Sequence, residues 1–388
     1  MRRLAIVTTH PIQYNVPLFA LLHTRKSIEI KVFYSWGKSV LSQKYDPGFE
    51  KIIEWDIPLL EGYEFEFLEN VSEDKGTHHF KGIDNPFIIE SIKKFNPDSI
   101  LIYGWSFKSH LKVLRYFRKK IPILFRGDST LLDKRSFLKE IKRSLFLRWL
   151  YSHIDYALYV GKNNFNYFRK NGLSPNQLLY AAHAIENHRF AMMSDSCLTY
   201  ADDLRQELKI QPGSLVFLFA GKMEKKKDPS ILLEAFTQCN FDNSVHLLMV
   251  GNGELDTALR YKYGNNRGIH FIDFQNQFLM PAIYEIADMF VLPSTGPGET
   301  WGLSVNEAMA NGKAVIVSDK CGCAEDLVVN GINGYIFHAG DINKLIKVLK
   351  NVNEHRHTIE DMKQESKRII SSFTIEKVAE TIEMIVNK

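Results

Sequence analysis

Strand-like and helix-like segments alternate from one end of this chain to the other, and that alternation restricts the fold to parallel sheets covered by helices. Short apolar runs with strand character fall at 4–8, 29–34, 99–103, 122–126, 157–160 and 178–181. After a polar stretch over 184–212 that leads into the turn signal Gln211-Pro212-Gly213, the same pattern restarts. Strands are expected at 215–220, 245–250, 269–274, 289–292 and 314–318, with a helix over 229–239. A chain of 388 residues is long enough for two hydrophobic cores. The expected organisation is therefore α/β, with domains at 1–183 and 184–372 and a final helical segment at 373–388. The segment 37–81 breaks the pattern, and its Pro47, Pro58 and Gly62 suggest a long excursion that shapes a pocket.

Composition narrows the class. An apolar fraction of 45% with 24% charged residues suits a soluble globular protein, and a net charge of only +4 gives no reason to expect a nucleic-acid partner. The four cysteines, Cys197, Cys239, Cys321 and Cys323, lack the spacing of a zinc site or a disulfide framework, which favours a reducing compartment. The first apolar run is too short for a signal peptide, and no stretch approaches the roughly 18 apolar residues that cross a bilayer. A cytoplasmic location is expected, with the inner face of the cell membrane as an alternative.

The chemistry concentrates in Pro297-Gly298-Glu299-Thr300-Trp301-Gly302-Leu303-Ser304-Val305-Asn306-Glu307-Ala308, which follows the apolar run Met289-Phe290-Val291-Leu292-Pro293. The element reads as strand, loop, helix, with Glu299 ahead of the helix and Glu307 inside it, so both border one crevice at the carboxyl end of a sheet. Backbone N–H groups of the first helical turn, around Gly302, Leu303 and Ser304, attract an anion, while the carboxylates accept from sugar hydroxyls. A nucleotide diphosphate sugar needs both kinds of group close together.

Residues 284–337, YEIADMFVLPSTGPGETWGLSVNEAMANGKAVIVSDKCGCAEDLVVNGINGYIF, resemble the carboxy-terminal nucleotide-binding domain of the retaining GT-B glycosyltransferases known as family 4. The likeness rests on the acid-x7-acid pair, the small-residue helix after it, the strand AVIVSD and the NGINGYIF turn. It implies a GT-B architecture, two Rossmann-like parallel-sheet domains facing an interdomain cleft, with the last helix crossing back to the first domain. It also implies that Glu299 contacts the transferred sugar and that Glu307 binds the ribose hydroxyls.

Phe219-Ala220-Gly221-Lys222-Met223-Glu224-Lys225-Lys226-Lys227-Asp228 places cations at a strand end, where they neutralise a diphosphate, and then an acid that caps a helix with Pro229 at its first position. In the family this position reads G-R-x-x-x-x-K, so Lys222 replaces the arginine and Lys227 matches the lysine. A lysine gives a point charge and no bidentate fork. Lys225 and Lys226 are expected in solvent. Val250-Gly251-Asn252-Gly253-Glu254 is a strand-to-helix turn whose Gly251 and Gly253 allow close backbone approach, either as a plain tight turn or as a wall of the nucleotide pocket. Phe274 and Gln275 resemble the stretch whose backbone edge reads the base, and a UDP- or GDP-linked donor is expected.

In the first domain, Thr9-His10-Pro11-Ile12-Gln13-Tyr14-Asn15 stands where most family members have a glycine-rich loop, and resembles a subset carrying an HPIQY stretch. His10 and Asp128, each just beyond a strand end, are candidate substrate contacts as well as candidate structural residues. The basic, amphipathic stretch 134–151 either covers a sheet or rests on an anionic membrane surface. The resemblance implies a retaining transfer of a hexose-type sugar to a hydroxyl of a glycan, lipid-linked saccharide or polysaccharide precursor. No D-x-D triplet occurs, so metal independence and no cofactor are expected. A sugar-nucleotide epimerase of the same fold and a non-catalytic nucleotide-binding descendant stay open.

Overall fold

The computed structural model describes residues 1–41, 44–46, 48–133 and 136–388. The chain divides into two compact units, one made of Met1–Lys44, Pro58–Ala184 and Thr374–Lys388, the other of Tyr45–Ile57 and Ile185–Phe373. The segment Tyr45–Ile57, which sequence alone leaves inside the first domain, thus belongs to the second.

The first unit holds a seven-stranded sheet in the order Phe65–Phe67, Glu29–Tyr34, Arg3–Thr8, Ser99–Tyr103, Ile123–Arg126, Tyr156–Tyr159, Leu178–Tyr180. Every described pairing in it is parallel, as in Arg3 opposite Glu29 and Leu4 opposite Ser99. Both faces are buried. One packs Val7, Ile102 and Phe125 against Ile92, Val113 and Leu150, the other packs Leu4, Ile6 and Val32 against Phe19, Leu22 and Ile382. Burial of each such side chain contributes roughly 1.5–3 kcal/mol, which explains why the strands read as continuous apolar runs. Ile382 comes from the last helix, Ile375–Val386, whose N-cap Thr374 accepts from the Lys377 N–H. Arg25 holds Glu383 of that helix at 3.1 Å, and Thr381 donates to the Tyr180 carbonyl at 3.0 Å.

The second unit holds a six-stranded parallel sheet in the order Ile269–Ile272, Val245–Val250, Leu215–Ala220, Met289–Leu292, Ala314–Ser318, Gly334–Phe337. Leu215–Ala220 and Val245–Val250 are buried at every position. The helix Pro229–Cys239 starts as expected, with Asp228 accepting from the Ile231 N–H and Pro229 in its first turn. The hairpin Lys44–Asp46 and Lys51–Ile53 forms a separate two-stranded sheet. Among the described residues no helix is long and apolar enough to cross a membrane. All four cysteines are free and buried, and burial pushes the Cys321 thiol up to about 12.

Candidate functional site

In the second unit, Leu215–Ala220 lies between Val245–Val250 and Met289–Leu292, so the strand order reverses there, the place where open parallel sheets generally form a crevice beyond the carboxyl ends of their strands. The loops leaving the two central strands meet across it. Lys227 Nζ, from the first loop, is 2.6 Å from Glu299 Oε2, from the second, and the Ser294 hydroxyl donates to the same oxygen at 3.0 Å. Both side chains of the pair are largely shielded, at 17% and 8% exposure. The Thr295 N–H donates to the Lys226 carbonyl at 2.9 Å and fixes one loop to the other.

Gly302 ends the second loop with φ 102°, a left-handed conformation that favours glycine. A Cβ there would also lie 2.9 Å from Leu292 Cδ2, so that side chain would have to shift to admit it. The helix Leu303–Ala310 starts at this point, and the N–H groups of its first turn, those of Leu303 and Ser304 among them, lack intrahelical partners. Glu307 lies within that helix, 3% exposed, and accepts from the Tyr284 hydroxyl at 2.8 Å. Lys227 and Glu299 therefore meet at one strand edge ahead of the helix, while Glu307 lies within the helix and is engaged by Tyr284.

Lys222 has a different partner. Its ammonium lies 2.8 and 3.1 Å from the two carboxylate oxygens of Asp46, in the hairpin of the same unit. Burial pushes the Asp46 carboxyl up, but Lys222 and the N–H groups of Gly48 and Phe49 outweigh it and hold the pKa below the ordinary value. Lys225 is exposed as expected, while Lys226 is half-exposed and pairs with Glu224 at 3.3 Å. Gly251 crosses the neighbouring strand end so closely that a Cβ would lie 2.1 Å from the Gly221 carbonyl oxygen, and a Cβ at Gly253 would lie 2.8 Å from that of Gly48. The Phe274 N–H is taken by Asn252 Oδ1 at 2.8 Å, and Gln275 turns its amide to the Asp273 carbonyl at 3.2 Å. The N–H half of the Phe274 backbone edge is thus already engaged within the protein. Phe49 packs its ring 4.7 Å from that of Phe274.

In the first unit, His10 and Asp128 both follow strands that end at the carboxyl edge. His10 Nδ1 is 2.8 Å from the Thr9 hydroxyl, and its ring meets Trp36 edge-on at 5.2 Å. Asp128 interacts electrostatically with Arg126 and His183. The Arg126 guanidinium is buried and donates to the Ala181 and Ala182 carbonyls, each at 2.9 Å. Desolvation, with the charge of Arg126, lowers the pKa of His183 to about 4. Sequence reasoning passed over His183, Ser294, Tyr284, Asp46 and Phe49, which occupy no recognisable spacing.

The helix Phe137–Tyr151 covers the expected basic stretch, of which Lys134 and Arg135 lie outside the described residues. Its Leu147, Leu150 and Tyr151 enter the core, yet Phe137, Leu138, Ile141, Leu145 and Trp149 are exposed at 76%, 71%, 43%, 64% and 42%. At about 100° per residue these five span an arc of about 120° opposite the buried face, so the helix is apolar on two sides. Exposed Lys142 lies just beyond one edge of that arc and exposed Arg148 within it, near the other edge. Among the described residues, Asp74, His78 and His79 of the first unit form a group able to hold a metal ion, and none of the candidate site residues belongs to it.

Residues 201–369 match the family model described as glycosyl transferases group 1. The lipopolysaccharide 1,2-N-acetylglucosaminetransferase of Salmonella typhimurium is 28% identical over 208 residues, 47% of this chain and 50% of that protein. An N,N'-diacetylbacillosaminyl-diphospho-undecaprenol alpha-1,3-N-acetylgalactosaminyltransferase of Campylobacter jejuni is 24% identical over 285 residues, 69% of each chain. This chain spans half or less of the length of the first curated relatives it matches. The crystal structure of Anabaena HepE in complex with UDP superposes with a TM-score of 0.72 at 17% identity, covering 100% of both chains. The chain thus has the two-domain Rossmann-like fold of the GT-B glycosyltransferases, and across residues 201–369, which hold Lys227, Glu299 and Glu307, it matches glycosyl transferases group 1.

Proposed function

We propose that this protein is a glycosyltransferase that moves a hexose-type sugar from a UDP- or GDP-linked donor to a hydroxyl of a glycan, lipid-linked saccharide or polysaccharide precursor. The anomeric configuration is retained and no metal ion takes part. The second unit holds the donor and the first unit the acceptor. The observation that carries the reading is the shielded Lys227–Glu299 pair at 2.6 Å, set at the strand-order reversal beside the start of the helix Leu303–Ala310.

In the reaction, the bond from the sugar's anomeric carbon to the diphosphate oxygen breaks and its electron pair leaves on the diphosphate. Lys227 and the first-turn amides of Leu303 and Ser304 stabilise that charge where it develops. Glu299 accepts from sugar hydroxyls and favours the positive charge that builds on the ring. Glu307, oriented by Tyr284, accepts from the ribose hydroxyls. The acceptor oxygen bonds to the anomeric carbon on the face the diphosphate leaves, and its proton passes to the departing diphosphate oxygen. His10 and Asp128 contact the acceptor side. The outward apolar stripe of Phe137–Tyr151, with Lys142 and Arg148 near its edges, rests on an anionic membrane surface, where a lipid-linked acceptor is met.

Support for the donor class comes from HepE, solved in complex with UDP-glucose, and for the acceptor class from the Campylobacter relative, whose name specifies a diphospho-undecaprenol saccharide. The test is a thermal-shift panel of UDP- and GDP-sugars, followed by product analysis with and without saccharide acceptors. A rise in melting temperature with one donor, and transfer that needs an acceptor and persists in chelator, supports the proposal. No shift with any nucleotide, or conversion of donor without acceptor, overturns it.

A further inference from the structure

The segment Tyr45–Ile57 is fastened along the donor edge of the second unit at several points. Asp46 holds Lys222 with both oxygens at 2.8 and 3.1 Å, and Lys51 holds Asp273 at 2.7 Å. Farther along, Asn276 donates to the Glu54 carbonyl at 2.5 Å and the Phe278 N–H to the Asp56 carboxylate at 3.1 Å. Phe49 fills the space against Phe274, ring centroids 4.7 Å apart, with the Lys222 ammonium 5.0 Å from its own ring. The segment thereby covers Lys222, Gly253 and Phe274, three positions that the family resemblance puts against the nucleotide.

A diphosphate brought to Lys222 meets a carboxylate already seated on it. The Lys222 side chain is 31% exposed and that of Asp46 32%, so the pair is not screened as a fully hydrated pair is. Two anions on one cation repel, and the second can bind closely only as the first withdraws. Asp46 also accepts from the N–H groups of Gly48 and Phe49 at 2.7 and 3.1 Å, which couples its carboxylate to the position of the Phe49 ring.

From these contacts we propose that Tyr45–Ile57 is an autoinhibitory strap, in which Asp46 occupies the cation meant for a donor phosphate and Phe49 the wall meant for the base, so that donor binding requires its release. This rests on the donor-site reading above. Donor affinity is then reduced by the fraction of molecules in which the strap is closed.

The test titrates UDP and GDP into wild-type protein, Asp46→Asn and Lys51→Ala by calorimetry, and follows hydrogen exchange of 45–57 with and without nucleotide. Asp46→Asn removes the competing charge, and Lys51→Ala loosens the strap while leaving Asp46 and Lys222 intact. Each is expected to tighten nucleotide binding about fivefold, the upper end of what a half-exposed pair contributes. Saturating nucleotide is expected to speed exchange across 45–57. Unchanged or weaker binding by Asp46→Asn, or protection of 45–57 by nucleotide, overturns the strap while leaving the donor site standing. No binding of either nucleotide by wild type or variants removes the donor-site reading and the strap with it.

Discussion

Replacing Lys227 by methionine keeps most of the side chain's stem and deletes its charge, leaving the Glu299 carboxylate 8% exposed with the Ser294 hydroxyl beside it. Two unit charges 2.6 Å apart attract by about 6 kcal/mol at an effective dielectric of about 20. Much of that is offset by desolvation, but the offset remains when only one partner is removed, so Lys227→Met should destabilise the second unit by about 3–5 kcal/mol. Glu299→Gln leaves the better-exposed Lys227 behind and should cost less, about 1–3 kcal/mol. The double variant buries no charge and should cost at least about 2 kcal/mol less than the sum of the single losses. Urea unfolding at pH 7, fitted with two transitions because the units need not unfold together, measures all four corners of the cycle. In turnover, Lys227→Ala should lower kcat/KM by about 100-fold or more, whereas exposed Lys225→Ala should leave it nearly unchanged. A cost below about 1 kcal/mol for Lys227→Met, or strict additivity in the double variant, would refute the coupling.

Three further outcomes are expected. Glu307→Ala should weaken binding of free UDP or GDP at least about tenfold and Tyr284→Phe about threefold, since the latter removes the hydroxyl that orients Glu307; unchanged calorimetric affinity removes the ribose role. His110 is buried between the Ser35 hydroxyl and the Gly104 carbonyl, and burial lowers its pKa from 6.5 to about 4. The unfolded chain then takes up the proton first, so the stability this group contributes is full above pH 6.5 and is lost as pH falls to 4, a change of about 3 kcal/mol. Chemical unfolding from pH 7 to 4 should show a shallower decline in His110→Gln, and an identical slope contradicts the assignment. Leu145→Glu with Trp149→Glu alters only exposed side chains, so it should abolish sedimentation with anionic vesicles while leaving the melting temperature within a few degrees of wild type. Equal sedimentation of both proteins rejects the membrane contact.

The strands that position the site were legible because a parallel strand buried on both faces is a continuous apolar run, as Leu215–Ala220 and Val245–Val250 are. The strands that escaped notice lack that signal. Phe65–Phe67 and Gly334–Phe337 lie at sheet edges and keep partly exposed positions, and the hairpin strands Lys44–Asp46 and Lys51–Ile53 have three residues each. The placement of Glu299 in a loop and of Glu307 in the helix after it was legible through their spacing, and their joint role in one site belongs to the proposal. Asp46 was not, because its partner Lys222 lies 176 residues away and no periodicity links them. The helix Phe137–Tyr151 shows a different limit. Its apolar periodicity predicts a helix, but with apolar residues on two opposite arcs the sequence does not tell which faces the sheet. Packing decides it, with Leu147 and Leu150 inward and Leu138 and Leu145 outward.

The two lysines of the donor edge differ in what their carboxylate partners do next. Glu299 sits on Lys227 from within the crevice, and in the proposed reaction it turns to the sugar hydroxyls while the lysine turns to the phosphate. Its charge is retained at the site and becomes useful as the ring turns positive. Asp46 sits on Lys222 from the hairpin, on a segment tied to the edge by Lys51, Glu54 and Asp56. It has no hydroxyl of the donor to turn to, and its charge opposes the phosphate at every stage until the segment moves. On the proposed reading, donor binding exchanges partners at Lys227 and ejects one at Lys222, and the second step sets the affinity. That asymmetry also bears on Lys222 as a lysine, where the resemblance leads one to expect arginine. A planar guanidinium would engage Asp46 through two parallel hydrogen bonds and bind the strap more firmly. The point charge of Lys222 holds the same carboxylate with less directional preference and gives it up more readily. Lys222→Arg should then weaken UDP binding in the wild-type background and strengthen it in Asp46→Asn, a reversal of sign that a simple phosphate contact does not produce.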